Sequence, residues 1–100
     1  MIGDNNLRIY REGFSDRYST KVNDLFWKTA AELGESAFVD SVKYDIQDDH
    51  LSFMTYKLPS AVIIDFDYEY WHTTHDTPDK CSAQSLRSVG RVVSTVMYRL

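Results

Sequence analysis

Two short stretches of the sequence hold all three histidines, together with acidic and aromatic residues. His50 follows a pair of aspartates, and His72 and His75 lie between residues 65 and 80. Neutral imidazole and carboxylate are the ligands of hydrolytic zinc sites, so these residue types suggest metal-assisted hydrolysis. Spacing alone favours another interpretation of His72, as a loop residue hydrogen-bonded to the backbone, because His-x-x-His outside a helix has no fixed geometry.

The residues beside these histidines also have two interpretations. The aspartates before His50 either bond to its imidazole or belong to a solvated turn in which Asp49 caps a short helix, and spacing favours the turn. Three aromatic residues, Tyr68, Tyr70 and Trp71, either line a substrate pocket or pack a long loop against the protein. The sequence favours neither interpretation of these aromatic residues.

Composition and motifs exclude several classes of protein. Fifteen acidic and eleven basic residues give a net charge of −4, which argues against a nucleic-acid partner. No stretch reaches the roughly 18 consecutive apolar residues of a membrane span, and the amino terminus lacks a signal-peptide pattern. There is no Gly-x-Ser-x-Gly elbow and no phosphate-binding glycine loop, and Cys81, without a neighbouring base, is interpreted as structural.

Hydrophobic periodicity predicts one α/β domain over residues 1–100. The predicted elements are strands at 7–10, 38–44 and 61–64, helices at 17–33 and after Ser82, a helical turn at 51–56 and a loop at 67–82. The continuously apolar strand 61–64 is expected at the centre of a sheet covered on both faces. Gly90, inside the last helix, is expected to mark close packing against a neighbour. Three strands are few for such a sheet, which suggests self-association or the C-terminal part of a larger sheet.

The sequence resembles the C-terminal part of the di-zinc exopeptidase family, which contains bacterial aminopeptidases and zinc-dependent glutaminyl cyclases. The motifs lie from residue 45 onwards, and the helix at 17–33 with its preceding strand resembles the family segment just upstream, so the resemblance covers essentially the whole chain. The run Trp-His-Thr-x-x-Asp-Thr is the most specific part of this resemblance. The motifs that carry it are Asp48-Asp49-His50-Leu51-x-Phe53, Leu58-Pro59-x-Ala61 and Ile64-Asp65-Phe66-Asp67-Tyr68-x-Tyr70-Trp71-His72-Thr73-x-x-Asp76-Thr77-x-Asp79-Lys80.

The resemblance implies a three-layer α/β/α domain with a mixed sheet and a pair of zinc ions at the carboxyl ends of its strands. It places His72 at the last zinc ligand and Asp48 at an acidic position that, in the cyclases, shares a hydrogen-bond network with the substrate. It places Trp71 at a position that lies beside the substrate pocket in the cyclases, and Tyr68 and Tyr70 are expected to shape the pocket together with Trp71. The resemblance also implies a supporting or structural role near the site for Asp49, His50, Thr73 and Asp76.

Several positions depart from the family pattern. Ser52 replaces a usual proline, Lys57 a usual glycine and Glu69 a frequent proline. Val62 lies where the cyclases carry a histidine, which favours the aminopeptidase branch.

The rest of the family's site, namely the other zinc ligands and the glutamate that acts as general base, is expected upstream of Met1. The resemblance therefore implies the C-terminal portion of a zinc-dependent aminopeptidase that removes N-terminal residues from peptides. We expect the chain to be inactive alone, because His72 is its single zinc ligand. The alternatives are a glutaminyl-peptide cyclase and a non-catalytic module that binds metal or self-associates.

The expected partners are a peptide substrate in the intact domain and either a second copy of the chain or a missing amino-terminal portion. Family members are often exported, but the sequence itself assigns no compartment.

Overall fold

A computed structural model describes all residues from Met1 to Leu100. In chain order the elements are β1 (Ile9–Glu12), α1 (Gly13–Tyr18), α2 (Thr20–Leu33), β2 (Phe38–Tyr44), α3 (His50–Thr55), a single 3-10 turn (Pro78–Lys80) and α4 (Ala83–Arg99). β1 and β2 form a parallel two-stranded sheet in which Ile9 lies opposite Phe38. The α/β class is confirmed, whereas the sheet within this chain is parallel rather than mixed.

The predicted strand at 61–64 is wrong. These residues are half-buried, but their backbone makes no hydrogen bond to another main-chain group. The Val62 N–H donates instead to Ser15 Oγ at 3.1 Å, and the next main-chain bond is from the Asp65 N–H to the Met1 carbonyl at 2.9 Å. An apolar run becomes a strand only where a neighbouring strand pairs its backbone groups, and no element of this chain does so.

The amino-terminal elements are displaced from their predicted bounds. β1 begins two residues later than expected, and helix α1 begins at Gly13, four residues before the predicted start of the first helix. The single helix predicted over 17–33 is divided at Ser19, whose φ of −131° is not helical. Glu12 explains the early start, since its carboxylate accepts the backbone N–H groups of Phe14 and Ser15 and so caps α1.

The core lies where α2 and α4 pack together and α2 covers the sheet. Its fully buried members include Ile9, Val92 and Val96, each at most 1% exposed. Burial of each such side chain contributes roughly 1.5 to 3 kcal/mol. Trp27 packs edge-on against Phe38, with ring centroids 5.7 Å apart, and its indole N–H donates to the Val39 carbonyl.

The last helix is confirmed, and Ser82 caps it by accepting the Ser85 N–H. The expected close packing at Gly90 is wrong: a Cβ built there meets no atom within 4 Å. Lys57, which replaces a usual glycine, has a left-handed φ of 58°, so this position does use a conformation that favours glycine. None of the helices is both long and apolar enough to cross a membrane.

Candidate functional site

His72 lies in the long loop before α4 and is exposed to solvent. Its φ of 56° places it in the left-handed region, where a non-glycine residue costs about 1 to 3 kcal/mol. The neighbouring hydroxyls of Tyr68, Thr73 and Thr77 are all hydrogen-bonded, whereas the His72 imidazole is not. The interpretation of His72 as a side chain bonded to the backbone is therefore wrong, and its ring nitrogens are free to bind a ligand.

A row of aromatic rings connects His72 to the sheet. The centroid distances are 4.2 Å from His72 to Trp71, 5.3 Å from Trp71 to Phe66, and 5.2 Å from Phe66 to Tyr44 at the end of β2. Contacts of this kind each contribute about 0.5 to 1.5 kcal/mol beyond area burial. Trp71 nevertheless remains 45% exposed, so one part of its ring packs the loop while another is open to a ligand.

A hydrogen bond between Tyr68 and Asp76, eight residues apart, joins two parts of the same loop. The Tyr68 hydroxyl donates to Asp76 Oδ1 at 2.6 Å, and Tyr68 is only 9% exposed. Burial and the adjacent Asp76 carboxylate raise the pKa of Tyr68 above its usual value. Tyr70 packs edge-on against Tyr68, and its carbonyl accepts the Thr73 hydroxyl. These contacts pack the loop that carries His72, and Tyr70 also lines a polar cavity beside it.

The Asp48–Asp49 segment is a solvated turn, as its spacing favoured. Both aspartates are exposed, and Asp48 Oδ1 accepts the Asp49 N–H at 2.7 Å. Asp49 precedes α3 but makes no side-chain capping bond, so that part of the prediction is wrong. His50 is 6% exposed and bonds to neither aspartate; its Nε2 lies 2.7 Å from Glu12 Oε1.

Glu12 is a residue that the sequence analysis missed. It is fully buried at the end of β1, and the sole local signal was an acidic side chain directly before the Gly-Phe-Ser of α1. Burial by itself would raise the pKa of Glu12, but the N–H groups of Ile46, Phe14 and Ser15 outweigh it and lower the pKa below its usual value. Glu12 is therefore a buried carboxylate held in its charged form.

Asp65 is a second buried carboxylate, 2% exposed, which accepts the Arg8 N–H at 3.2 Å. Burial and the neighbouring Asp4 carboxyl raise the pKa of Asp65 to about 7. Asp4 and Asp65 line a polar cavity of about 330 Å³ whose wall also includes Lys43 and Lys80. No feature of the sequence distinguished Asp65 from its exposed neighbours.

This chain offers a donor atom of the type that zinc binds, but it does not bring enough such donors together to hold the ion. His72 offers a free imidazole, but no three histidine, cysteine, aspartate or glutamate side chains lie close enough together to hold a metal ion. Since a zinc site needs about three protein ligands, His72 requires partners from outside these residues to bind zinc.

Comparison with protein families shows a match to one model, peptidase family M28, over residues 1–97. No curated protein matches the chain.

Several solved structures are similar over nearly the whole chain. A glutaminyl cyclase from Porphyromonas gingivalis is 26% identical with a TM-score of 0.92, and the match covers 99% of this chain and 39% of that one. A Zn-dependent exopeptidase from Parabacteroides distasonis is 28% identical, with a TM-score of 0.91 and coverages of 100% and 37%. A leucine aminopeptidase precursor from Bacteroides thetaiotaomicron is 31% identical, with a TM-score of 0.85 and coverages of 100% and 36%. The chain therefore spans less than two fifths of the length of these proteins.

Proposed function

Because the chain belongs to peptidase family M28, we propose that it supplies the carboxyl-terminal part of the active site of a zinc-dependent aminopeptidase, in which His72 binds a zinc ion. The observation that carries this proposal is the His72 imidazole, which is exposed, without a hydrogen bond and held in a left-handed backbone conformation. Backbone strain of this kind concentrates at functional sites. A Zn-dependent exopeptidase and an aminopeptidase precursor among the similar structures support the same proposal.

The residues of the proposed site have different roles. Zinc supplies the Lewis acidity that peptide hydrolysis requires. His72 donates one ring nitrogen to the ion, and the exposed part of the Trp71 ring forms an apolar wall for the substrate side chain. The Tyr68–Asp76 hydrogen bond holds the loop that carries both residues. Asp48, exposed before α3, takes part in hydrogen bonds to the peptide substrate.

A graft experiment tests the proposal. Residues 1–100 replace the equivalent segment of the Bacteroides leucine aminopeptidase, and the graft is assayed on leucyl-p-nitroanilide, with folding checked by circular dichroism. We expect hydrolysis by the graft, loss of at least a hundredfold in His72→Ala, and little change in His75→Ala, an exposed histidine of the same loop. A folded graft without activity, or one that His72→Ala does not affect, would contradict the proposal.

The isolated chain provides a separate test. We expect no zinc-dependent hydrolysis of leucyl-p-nitroanilide by residues 1–100 alone, because these residues bring no three potential ligands together. Zinc-dependent turnover that His72→Ala abolishes would show that the chain assembles a site by itself.

The second candidate function is glutaminyl-peptide cyclisation, which is favoured by the close similarity to glutaminyl cyclases. The resemblance described above argues against it, because it places Val62 where the cyclases carry a histidine. Both functions are compared by grafting the chain into the Porphyromonas glutaminyl cyclase and measuring cyclisation of an N-terminal glutaminyl peptide. The aminopeptidase proposal predicts a graft that cyclises poorly and improves with Val62→His, whereas efficient cyclisation by the unaltered graft favours the cyclase.

A further inference from the structure

The Glu12 carboxylate accepts hydrogen bonds from both ends of a segment that it does not adjoin in sequence. Its Oε2 accepts the N–H of Ile46 at 3.1 Å, and its Oε1 lies 2.7 Å from Nε2 of His50. Because a carboxylate only accepts, Nε2 carries the hydrogen. Ile46 and His50 flank residues 47–49, so one buried group fixes both ends of the turn that carries Asp48.

The same carboxylate is itself rigidly held. It also accepts the N–H of Phe14 at 2.8 Å and both the N–H and the hydroxyl of Ser15 at 3.0 and 2.8 Å. Gly13 allows the Asp45 carboxylate to lie close to the main chain of α1, because a Cβ at position 13 would lie 1.7 Å from Asp45 Oδ1. A larger residue at position 13 would displace the Asp45 side chain, which directly precedes Ile46.

Further hydrogen bonds connect the residues around Glu12 to the segment 60–62, which precedes the His72 loop. The Ser15 hydroxyl, which donates to Glu12, accepts the Val62 N–H at 3.1 Å. The Ser60 hydroxyl donates to the His50 carbonyl at 2.9 Å. The buried polar groups around Glu12 therefore connect the Asp48 turn to the chain that continues towards His72.

We propose that Glu12 is a positioning residue, which holds the Asp48–Asp49 turn in place relative to the chain that leads to His72. The link to substrate binding rests on the proposed function, since it requires Asp48 to contact the peptide. The positioning itself rests on the hydrogen bonds of Glu12 alone. One feature distinguishes it from simple helix capping: His50 Nδ1 is buried without a partner, so the bond to Glu12 is the one hydrogen bond of this imidazole.

Glu12→Gln in the 100-residue chain tests the proposal without an activity assay. The glutamine amide replaces one acceptor oxygen by a donor, so it cannot accept from both Ile46 and His50 as the carboxylate does. We expect amide hydrogen exchange of Ile46, Leu51 and Ser52, whose N–H groups bond to Glu12 and to the carbonyls of Asp48 and Asp49, to accelerate at least tenfold more than exchange of Val92 and Val96 in the core. Glu32→Gln, an exposed carboxylate paired with Arg99, is the control and should leave the turn unchanged.

The nitrogen chemical shifts of His50 provide the second readout. The wild-type protein should show one tautomer with hydrogen on Nε2, and Glu12→Gln should shift it towards the Nδ1–H form, since Nε2 then accepts from the amide. This wild-type measurement decides the proposal even if Glu12→Gln does not fold. A mixture of tautomers in the wild type, equal acceleration in turn and core, or unchanged exchange in the turn would each overturn it. None of these results depends on whether the whole enzyme is an aminopeptidase.

Discussion

Substitution of Asp65 by asparagine should make the stability of the protein less sensitive to rising pH. Asp65 is 2% exposed, and burial with the nearby Asp4 carboxyl raises its pKa from 3.8 to about 7. Between these two pH values the folded state therefore holds a proton on Asp65 that the unfolded state has released. This proton stabilises the fold; the stabilisation is fully present below pH 3.8 and is lost as pH rises through about 7. Asparagine keeps an acceptor for the Arg8 N–H and never ionises.

The size of the effect follows from the difference between the two pKa values. From 3.8 to about 7, that difference corresponds to an upper limit of roughly 4 kcal/mol. Between pH 5 and pH 8 the wild-type protein should lose about 3 kcal/mol more of its free energy of unfolding than Asp65→Asn. The comparison with Asp65→Asn cancels contributions from groups that do not interact with Asp65, including Glu12, whose lowered pKa has the opposite effect of destabilising the fold as pH falls.

Urea unfolding at a series of pH values, followed by circular dichroism, measures this difference directly. A pH dependence that is the same for the wild type and Asp65→Asn would refute the reasoning. So would a wild-type protein that gains stability relative to Asp65→Asn as the pH rises from 5 to 8.

Two other substitutions test the packing. Gly90→Ala should raise the free energy of unfolding by about 1 kcal/mol, because alanine is the better helix former and a Cβ at position 90 meets no atom within 4 Å. A urea titration measures this change, and a loss of stability would contradict the prediction. Arg11→Met should destabilise the protein by about 2 kcal/mol, since this half-buried guanidinium bonds to Asp16, Asp24 and Asp40 and its loss leaves three carboxylates together. In the same titration Arg17→Met, which removes one exposed ion pair, should change little, and equal effects of both substitutions would contradict the argument.

The parts of the fold that sequence predicts well are those decided by neighbouring residues. The helix after Ser82 follows from its cap and from apolar residues at helical spacing, and β2 follows from its strand-forming residues. The run around His72 was found by its motif, and the structure adds that its imidazole is exposed without a hydrogen bond. Its role as a zinc ligand stays a prediction, as does the role of Asp48 in substrate binding.

The parts that sequence does not predict depend on long-range contacts. Residues 61–64 have the composition of a buried strand, but only a neighbouring strand decides whether they form one. Glu12 and His50 are 38 positions apart, so no local sequence pattern predicts the hydrogen bond between them. The raised pKa of Asp65 depends on Asp4 and on burial, neither of which is visible in the residues beside it.

The zinc content of the grafted Bacteroides aminopeptidase tests the central claim most directly. Purified wild-type, His72→Ala and His75→Ala grafts are compared by elemental analysis after dialysis against metal-free buffer. If the site holds two zinc ions, as the family resemblance implies, His72→Ala should lose about half of the zinc of the wild-type graft, because one ion lacks a ligand, while His75→Ala keeps all of it. A folded His72→Ala graft with the same zinc content as the wild type would contradict the assignment of His72 as a ligand.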